Sequence, residues 1–311
     1  MNQKAMLAFK NFVGKAVRER ARKKGVLLKD SADSLSKANQ VLFSNNGYQP
    51  LLQDDTEYQV LMLTTIIDLE IAILNLEFLS RSNSMISKFV LITDEKLDSD
   101  QKNRINANLK KIEFLADIDF ESFFSDLRLE INLFNPDRRS WIKQQLIKTI
   151  FVYNSNTPTL IVDSDTFILG RLKFINVEKQ LLLIGEGFHF PYSRHTKKFL
   201  KTNPFPISFV HHVQLQIPQI LKEIYSDNLI AGLRQWLRLG RARFEFSPIS
   251  EFQTYGDYVL SRYPERVALY SHTHQLEDVN QFKNVHSLEN KLNDMKHVDL
   301  VTLINKHLRP K

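Results

Sequence analysis

Cysteine is absent from the 311-residue sequence, so the chain has no disulfide framework, no thiolate nucleophile and no cysteine-ligated zinc site. Any metal must therefore be held by oxygen or imidazole ligands. The sequence also lacks the glycine-rich phosphate loops of ATPases and dinucleotide-binding proteins, and it lacks the Gly-x-Ser-x-Gly elbow of many hydrolases. These absences exclude the ordinary members of those three classes.

A long uninterrupted apolar run is missing as well. The most apolar stretch, Val60 to Leu79, is broken by Asp68, Glu70, Asn75 and Glu77. Each charge near the centre of a membrane helix costs roughly 2.5–3.5 kcal/mol, so we expect a buried strand that runs into a core-facing helix instead. The basic start of the chain is not followed by an apolar core and a cleavage site, which predicts no secretory signal and a cytoplasmic location.

The net charge of +7 has a local origin. Residues 1–24 hold eight Lys or Arg side chains against one acid, Glu19, and the rest of the chain is balanced. Apolar residues recur there at steps of three and four, which predicts a basic amphipathic helix. Such an arm would make a peripheral contact with an anionic membrane surface, or it would be solvated or docked on its own protein. Nucleic acid is not an expected partner, because the basic excess lies in a terminal appendage.

Short apolar runs alternate with helical periodicity, which is typical of a parallel sheet with crossover helices. We predict an α/β fold with a Rossmann-type, mostly parallel sheet flanked by helices, and helical extensions at both ends. Residues 1–55 would form the arm and a connector, 56–275 the main domain with halves 56–185 and 186–275, and 276–311 a helical tail. The predicted strands are 60–65, 89–93, 112–115, 159–162 and 181–184, and the predicted helices are 68–80, 100–110, 121–132 and 139–153.

Two carboxylates follow the clearest strand of the pattern. Asp163 and Asp165 stand two positions apart at the end of the apolar run Thr159 to Val162, so in an extended chain they point to the same side. Ligands of open α/β sheets gather beyond the carboxyl ends of the strands. Carboxylate oxygens are the ligands that Mg²⁺ and Mn²⁺ prefer, and they leave positions for phosphate oxygens and water. The pair therefore predicts a divalent metal that would neutralise a departing diphosphate.

Four sequence blocks carry a resemblance to a known family: Trp141–Lys148, Leu160–Thr166, Ser208–His211 and Ser250–Tyr258. In this order they resemble GT-A-type glycosyltransferases, and more specifically an uncharacterised bacterial family of predicted glycosyltransferases, over residues 58–275. The resemblance implies a GT-A-like fold, a UDP- or GDP-linked sugar donor, a carbohydrate or lipid-linked acceptor, Mn²⁺ or Mg²⁺, and a role in surface polysaccharide or glycoconjugate synthesis. The family strand reads closer to Asp-Ala-Asp, so Ser164 is a mild departure that leaves both ligands in place.

The resemblance places the donor site along the helix before this strand. Trp141, Gln145 and Lys148 share one helix face. By resemblance, Lys148 or Arg139 would meet phosphate and Gln144 or Gln145 would bond sugar hydroxyls. Alternatively, Trp141 packs in the core and Lys148 lies in solvent. The full set of expected donor-site residues is Thr64, Asp94, Arg139, Gln144, Gln145, Lys148, Asp163, Ser164 and Asp165.

The expected acceptor side lies in the second half. Ser247 and Pro248 are typical of a helix start, and the predicted helix carries Glu251, Tyr255 and Tyr258 on one face. Glu251 is the candidate general base by residue type and family position. Two alternatives stay open: Glu251 forms a structural hydrogen-bond pair with Tyr255, or it binds the acceptor without acting as a base. The expected acceptor-contacting residues are His211, His212, Tyr255 and Tyr258.

The metal set implied by the resemblance is Asp163, Asp165 and a late histidine, His272, with His274 as the alternative.

Two other functions stay open. A nucleotidyltransferase also uses carboxylate-held metal, but residues 64–70 lack the glycine and lysine that cradle a triphosphate in that class. A non-catalytic membrane-surface scaffold with a transferase-like fold is the other.

Overall fold

The computed structural model describes residues 52–304, apart from gaps at 110, 170–172, 177–178, 186–188, 203, 205–206, 241–247, 272–273, 279–280, 283 and 296–297. The predicted basic arm at 1–24 and the candidate ligand His272 both lie outside the described residues.

A five-stranded sheet forms the centre of the fold, with strand order β3-β2-β1-β4-β8. The first four strands in that order are mutually parallel, and β8 runs antiparallel to β4 at the edge. The strands are β1 (Tyr58–Thr64), β2 (Ile86–Thr93), β3 (Ile112–Ala116), β4 (Thr159–Asp163) and β8 (Val213–Gln216).

Helices flank this sheet along both the first and second halves of the chain. The first half contains α1 (Leu69–Ser82), α2 (Ser99–Asn108), α3 (Glu121–Asp126), α4 (Arg128–Ile131) and α5 (Arg139–Asn154). The second half contains α6 (Phe190–Leu200), α7 (Pro218–Tyr225), α8 (Leu229–Leu239), α9 (Glu251–Arg262) and α10 (Val285–Asp294). The mixed α/β class with a mostly parallel sheet, predicted from the sequence, is thus confirmed.

Strand β4 is an interior strand of the sheet, and its side chains are covered on both faces. Leu160, Ile161 and Val162 have no exposed surface, as expected for a continuous apolar run in a parallel sheet. The strand lies between β1 and β8, and its register places Asp163 beside Leu63 of β1. Asp163 therefore stands at the carboxyl edge of the sheet, where ligands of such folds bind.

Two smaller sheets complete the fold. One has the order β10-β11-β5 and the other β6-β7-β9. In the first, β11 pairs antiparallel with β5, the strand that begins directly after Asp165. The strands are β5 (Thr166–Ile168), β6 (Ile175–Asn176), β7 (Lys179–Ile184), β9 (Val267–Ser271), β10 (His274–Asp278) and β11 (Leu300–Ile304).

The C-terminal region differs from the helical tail predicted from the sequence. Its described part contains a helix, α10, but also β11, which joins a sheet. Leu288, Leu292 and Val301 pack with Ile71 and Phe167 in a hydrophobic cluster of their own beside the main core. The region is therefore attached to α1 and β5 by burial of apolar surface.

Among the described helices, none is both long and apolar enough to cross a membrane.

Candidate metal and anion site

The candidate site is built where β4 ends. Val162 pairs with Val213 of β8, so the next residue, Asp163, lies opposite His212. The amide of Asp163 donates to the carbonyl oxygen of His212 (2.8 Å), and His212 Nδ1 lies 3.3 Å from Asp163 Oδ2. One potential ligand atom each from Asp163, Asp165 and His212 falls within 4.8 Å of the others. The antiparallel edge strand thus adds an imidazole to the acidic pair.

The donor set suits a divalent cation. Carboxylate oxygens are ligands of Mg²⁺ and Mn²⁺, and imidazole is a common ligand of divalent transition metals. The Asp163 side chain is 27% exposed and that of His212 is 41% exposed, so the cluster is open to a ligand on one side. Asp165 is buried. These three residues could therefore hold a cation and leave further coordination positions for an incoming anion.

Asn75 fixes the loop that carries both aspartates. This fully buried side chain of α1 donates from Nδ2 to the carbonyl oxygens of Asp163 (3.4 Å), Ser164 (3.3 Å) and Thr166 (2.8 Å). In the sequence, Asn75 stands out only as a polar interruption of an apolar stretch. The signal that could have revealed it is the position of an amide on the otherwise apolar, core-facing side of α1.

The C-terminal strand holds the same loop from the opposite direction. The amide of Leu303 donates to the carbonyl oxygen of Asp165 (2.8 Å), and the hydroxyls of Thr166 and Thr302 are 3.0 Å apart. The loop is therefore fixed by a helix that precedes it and by a strand that follows it much later in the chain.

Lys148 connects the site to the interior. Its Nζ lies 2.7 Å from Asp163 Oδ1 and 3.4 Å from Glu251 Oε1, and its side chain is only 5% exposed. Burial alone would lower the pKa of Lys148, but the carboxylates of Asp163 and Glu251 outweigh it and hold that pKa above the ordinary lysine value. Lys148 is therefore a buried cation between two acids. It does not lie in solvent.

Asp163 is the negative centre of the site. Burial would raise the pKa of its carboxyl, but Lys148, followed by His212, outweighs that effect and holds the pKa well below the usual range. Burial opposes protonation of His212, whereas the hydrogen bond and charge of Asp163 raise its pKa above the ordinary histidine value. The neighbouring His211 has its pKa lowered to about 3, chiefly by burial.

Glu251 lies behind Lys148, away from the surface. It is 2% exposed, both of its carboxylate oxygens are buried, and Oε1 forms an ion pair with Lys148 Nζ at 3.4 Å. Burial raises its pKa to about 7, with Lys148 opposing and Asp163 adding to the rise. The backbone amide of Glu251 lies 3.3 Å from Gln145 Oε1, which is also buried. Two of the expected donor-site residues, Gln145 and Lys148, thus contact Glu251.

The start of helix α9 differs from the prediction. Ser250, and not Ser247, is the N-cap, because its hydroxyl accepts from the amide of Gln253 (3.1 Å) and the helix begins at Glu251. Ser247 lies outside the described residues. A serine cap immediately before the acid fits both the preference for Ser at N-caps and the preference for acids in the first turn.

The two tyrosines of α9 lie apart from the cation cluster. Tyr255 is fully buried, its hydroxyl accepts from the amide of Ile217 (3.0 Å), and it donates to Gln180 Oε1 (3.1 Å). Tyr258 donates to Glu223 Oε2 (2.9 Å) at the surface beside α7. In this structure both hydroxyls are engaged by the protein itself. Neither is brought to Asp163 by any described contact.

His211 points into an aromatic group. Its ring lies 4.8 Å from that of Tyr192, which in turn lies 4.0 Å from the ring of His189. His211 Nε2 is buried and has no hydrogen-bond partner among the described residues. Only His212 of the expected acceptor histidines therefore reaches the cation cluster directly.

The remaining expected donor residues are spread along the carboxyl edge. Asp94 follows β2 and accepts from the amide of Ile66 (2.8 Å), which places it beside the loop after β1. Thr64 ends β1 and contacts the carbonyl oxygen of Thr65 (3.3 Å). Arg139 donates to the carbonyl oxygen of Asn132, whereas Gln144 is exposed, Ser164 is buried and Trp141 packs against the core.

Fold and site together define an α/β domain with a candidate divalent-cation site at the carboxyl edge of its central sheet. Comparisons with protein families and with curated proteins found no match. Among solved structures the chain is similar to mouse xyloside xylosyltransferase 1 in its apo form, with 13% identity over 82% of this chain and 100% of that one, and a TM-score of 0.45.

Two further solved structures are similar at the same level. Core-mannan synthase A of Aspergillus fumigatus, in an Mn/GDP form, shares 12% identity over 74% of this chain and 79% of that one, with a TM-score of 0.44. The galactosyltransferase LgtC, in complex with donor and acceptor sugar analogs, shares 10% identity over 79% of this chain and 87% of that one, with a TM-score of 0.43. At such scores the likeness carries no weight for function, which is inferred below from this chain's own residues.

Proposed function

We propose that the protein is a metal-dependent glycosyltransferase that moves a sugar from a nucleotide-sugar donor to a carbohydrate or lipid-linked acceptor. The single observation that supports this most is the grouping of Asp163, Asp165 and His212 within 4.8 Å at the carboxyl end of a central strand. That edge is where α/β sheets bind nucleotides and phosphates. An oxygen-rich cation site there fits a diphosphate leaving group.

The residues of the chain would divide the work as follows. Asp163, Asp165 and His212 would hold Mn²⁺ or Mg²⁺, which would stabilise the negative charge of the departing nucleoside diphosphate. Asn75 would keep the acidic loop in place through its three carbonyl contacts. Binding and orientation of the diphosphate at a preformed cation site is the main contribution that such a protein makes to the reaction.

Candidate donor contacts come from the same edge of the sheet. Thr64 is the last residue of β1 and Asp94 follows β2, and both would line the part of the cleft next to the nucleoside. Arg139 and Gln144 lie at the start of α5, where a cation and an amide would meet phosphate or sugar hydroxyls. His211, next to the cation cluster in the chain, would border the acceptor side.

The test is isothermal titration of the full chain with UDP or GDP, with and without Mn²⁺. We expect binding that requires Mn²⁺ and is lost in Asp163→Ala. Asp119→Ala is the matched control, because Asp119 accepts from the amide of Ala116, the last residue of β3, and belongs to no cation cluster of the described residues. Absence of nucleotide binding by wild type, or equal binding by Asp163→Ala, would remove the proposal.

Product analysis separates this reaction from nucleotidyl transfer. A glycosyltransferase releases a nucleoside diphosphate, whereas a nucleotidyltransferase releases pyrophosphate from a triphosphate. With a panel of UDP- and GDP-sugars we expect slow release of the diphosphate even without acceptor, because water can replace the acceptor hydroxyl. Pyrophosphate release from a nucleoside triphosphate and a sugar phosphate would indicate the other class. The absence of both products would favour a non-catalytic scaffold.

A further inference from the structure

Lys148 is the only lysine that is buried among the residues the structure describes. Its ammonium contacts Asp163 Oδ1 at 2.7 Å, on the carboxylate whose Oδ2 faces His212. A buried ammonium is costly unless acids compensate it, and Glu251 supplies the second compensating charge at 3.4 Å. Oδ1 of Asp163, a candidate cation ligand, is thus already bound to the ammonium of Lys148.

This arrangement changes the charge available to a cation. Asp163 and Asp165 offer two negative charges, and Lys148 cancels one of them at contact distance. Glu251 Oε1 lies 3.4 Å from the same ammonium, and the Glu251 carboxylate offsets part of the Lys148 charge. Because interactions between charges are stronger in a buried, low-dielectric setting, the ammonium is expected to repel a divalent cation at this site.

We propose that Lys148 keeps the affinity of the site for a free divalent cation low, so that the cation binds together with a diphosphate. The diphosphate restores the negative charge that Lys148 cancels. This inference rests on the proposed function, since it concerns the same cation and the same anion. It assigns Lys148 the role of charge compensation, in place of direct contact with the donor phosphate.

The proposal also gives Glu251 a different role from that of general base. Both carboxylate oxygens of Glu251 are buried, so an acceptor hydroxyl cannot reach them in this structure. The acid instead acts through Lys148, and Glu251 is a positioning residue that sets how strongly the ammonium acts on Asp163.

The test measures Mn²⁺ affinity by isothermal titration at pH 8 without nucleotide, where Glu251 carries its charge. Lys148→Met removes the ammonium, and we expect Mn²⁺ to bind roughly tenfold more tightly than to wild type. Glu251→Gln removes the compensating acid, and we expect Mn²⁺ to bind a few-fold more weakly. The two variants should change the Mn²⁺ affinity in opposite directions. This difference is decisive, because general damage to the fold would weaken Mn²⁺ binding in both variants.

The second measurement repeats the titrations with saturating GDP or UDP. In wild type, nucleotide should strengthen Mn²⁺ binding by a large factor, and in Lys148→Met that factor should shrink. If Lys148 instead contacts the donor phosphate, Lys148→Met would weaken nucleotide binding and leave the affinity for free Mn²⁺ unchanged. That result overturns the inference while leaving the proposed glycosyltransferase function intact.

Matched controls come from another lysine–glutamate pair. Lys88 Nζ lies 2.7 Å from Glu113 Oε2, near the amino ends of β2 and β3, and both side chains are exposed. Lys88→Met and Glu113→Gln make the same changes in net charge away from the site, and Mn²⁺ affinity should not change. Lys148→Arg keeps the charge and should retain the weak affinity for free Mn²⁺.

Lys148→Met leaves Glu251 without its partner, which threatens folding. The double variant Lys148→Met/Glu251→Gln replaces both charges with neutral groups of similar size, and it should fold and bind free Mn²⁺ more tightly than wild type. Equal or weaker binding by this variant, in a fold verified by circular dichroism, overturns the inference. Absence of Mn²⁺ binding in every variant, even with nucleotide, overturns the proposed function as well.

Discussion

The side-chain amide of Asn75 lies 2.8 Å from the carbonyl oxygen of Thr166, the residue that follows the acidic loop. The same nitrogen also contacts the carbonyl oxygens of Asp163 and Ser164. A single buried amide of α1 thus supplies hydrogen bonds to two residues of the acidic loop and to the residue that follows it. The shape of the candidate cation site depends on a residue that cannot itself touch a ligand.

The first prediction concerns this amide. Asn75→Leu keeps the branched shape of the side chain, although it is larger, and it leaves buried carbonyl groups without this donor, which costs roughly 1–3 kcal/mol of unfolding free energy. Urea unfolding at pH 7 is the measurement. Asn108→Leu is the control, because Asn108 is exposed and its side chain donates to Glu77 Oε1 (2.8 Å) at the surface, and it should change stability little. Equal losses in the two variants would contradict the structural role of Asn75.

The second prediction concerns the imidazole ligand. His212→Gln should weaken Mn²⁺ binding in the presence of GDP or UDP by at least the roughly 10–100-fold that loss of an outer-shell partner causes. Titration calorimetry provides the affinity. His286→Gln serves as the control, because His286 is 77% exposed and lies on α10. An unchanged affinity in His212→Gln would show that the cation does not use this side chain.

The third prediction is a pH dependence of stability that comes from His195. Its Nε2 lies 2.8 Å from the carbonyl oxygen of Trp236, so the neutral ring donates this bond, while Nδ1 is buried without a partner among the described residues. Burial lowers the pKa of His195 from 6.5 to about 4, against the effect of the Trp236 carbonyl. Between these values the unfolded chain binds more protons than the native one. Stability therefore falls as the pH is lowered from 6.5 towards 4, by about 3 kcal/mol at most.

His195→Phe removes this titration and should flatten the profile of unfolding free energy between pH 6.5 and 4. The Trp236 carbonyl keeps a second donor in the variant, the amide of Gly240 at 3.2 Å. Urea unfolding at several pH values gives the comparison, and His286→Phe should reproduce the wild-type slope. A wild-type slope in His195→Phe would mean that other groups cause the acid sensitivity.

The fourth prediction concerns close packing of α8 on α7. A Cβ added at Gly232 would lie 2.2 Å from the carbonyl oxygen of Tyr225, which is backbone and cannot rotate away. In an exposed helix, Gly→Ala gains about 1 kcal/mol, but here we expect a net loss of roughly 1–3 kcal/mol because the helices must separate. Thermal unfolding of the Gly232→Ala variant measures this loss of stability. At Gly185 the nearest atom would lie 3.4 Å away, so Gly185→Ala should be tolerated far better.

The sequence was most informative where the signal was local. The apolar run ending in Asp163 predicted β4, its central position and the acidic pair at its end, because a strand buried on both faces has a distinctive composition. Helix α5 (Arg139–Asn154) was predicted to within one residue, at 139–153, because Pro158 limits how far a helix can continue. The expected extended chain through Asp165 was wrong, because β4 ends at Asp163 and residues 164–165 form a turn, and this turn brings the two carboxylates together.

Features that depend on distant pairing were missed. Strand β8 contains two glutamines, which are buried because the protein supplies their hydrogen bonds, and its sequence did not suggest a strand. Only the pairing of β8 with β4 brings His212 beside Asp163. The sequence therefore predicted His212 as an acceptor contact and not as a metal ligand. For β11, a five-residue apolar run does not distinguish strand from helix, and its partner β5 lies far earlier in the chain.

The bond from the amide of Leu303 to the carbonyl oxygen of Asp165 has a consequence for biosynthesis. While the chain is still growing on the ribosome, the acidic loop lacks its backbone partner until residues 299–303 have emerged. The folded conformation of the acidic loop would therefore be completed only after nearly all of the described chain has been translated.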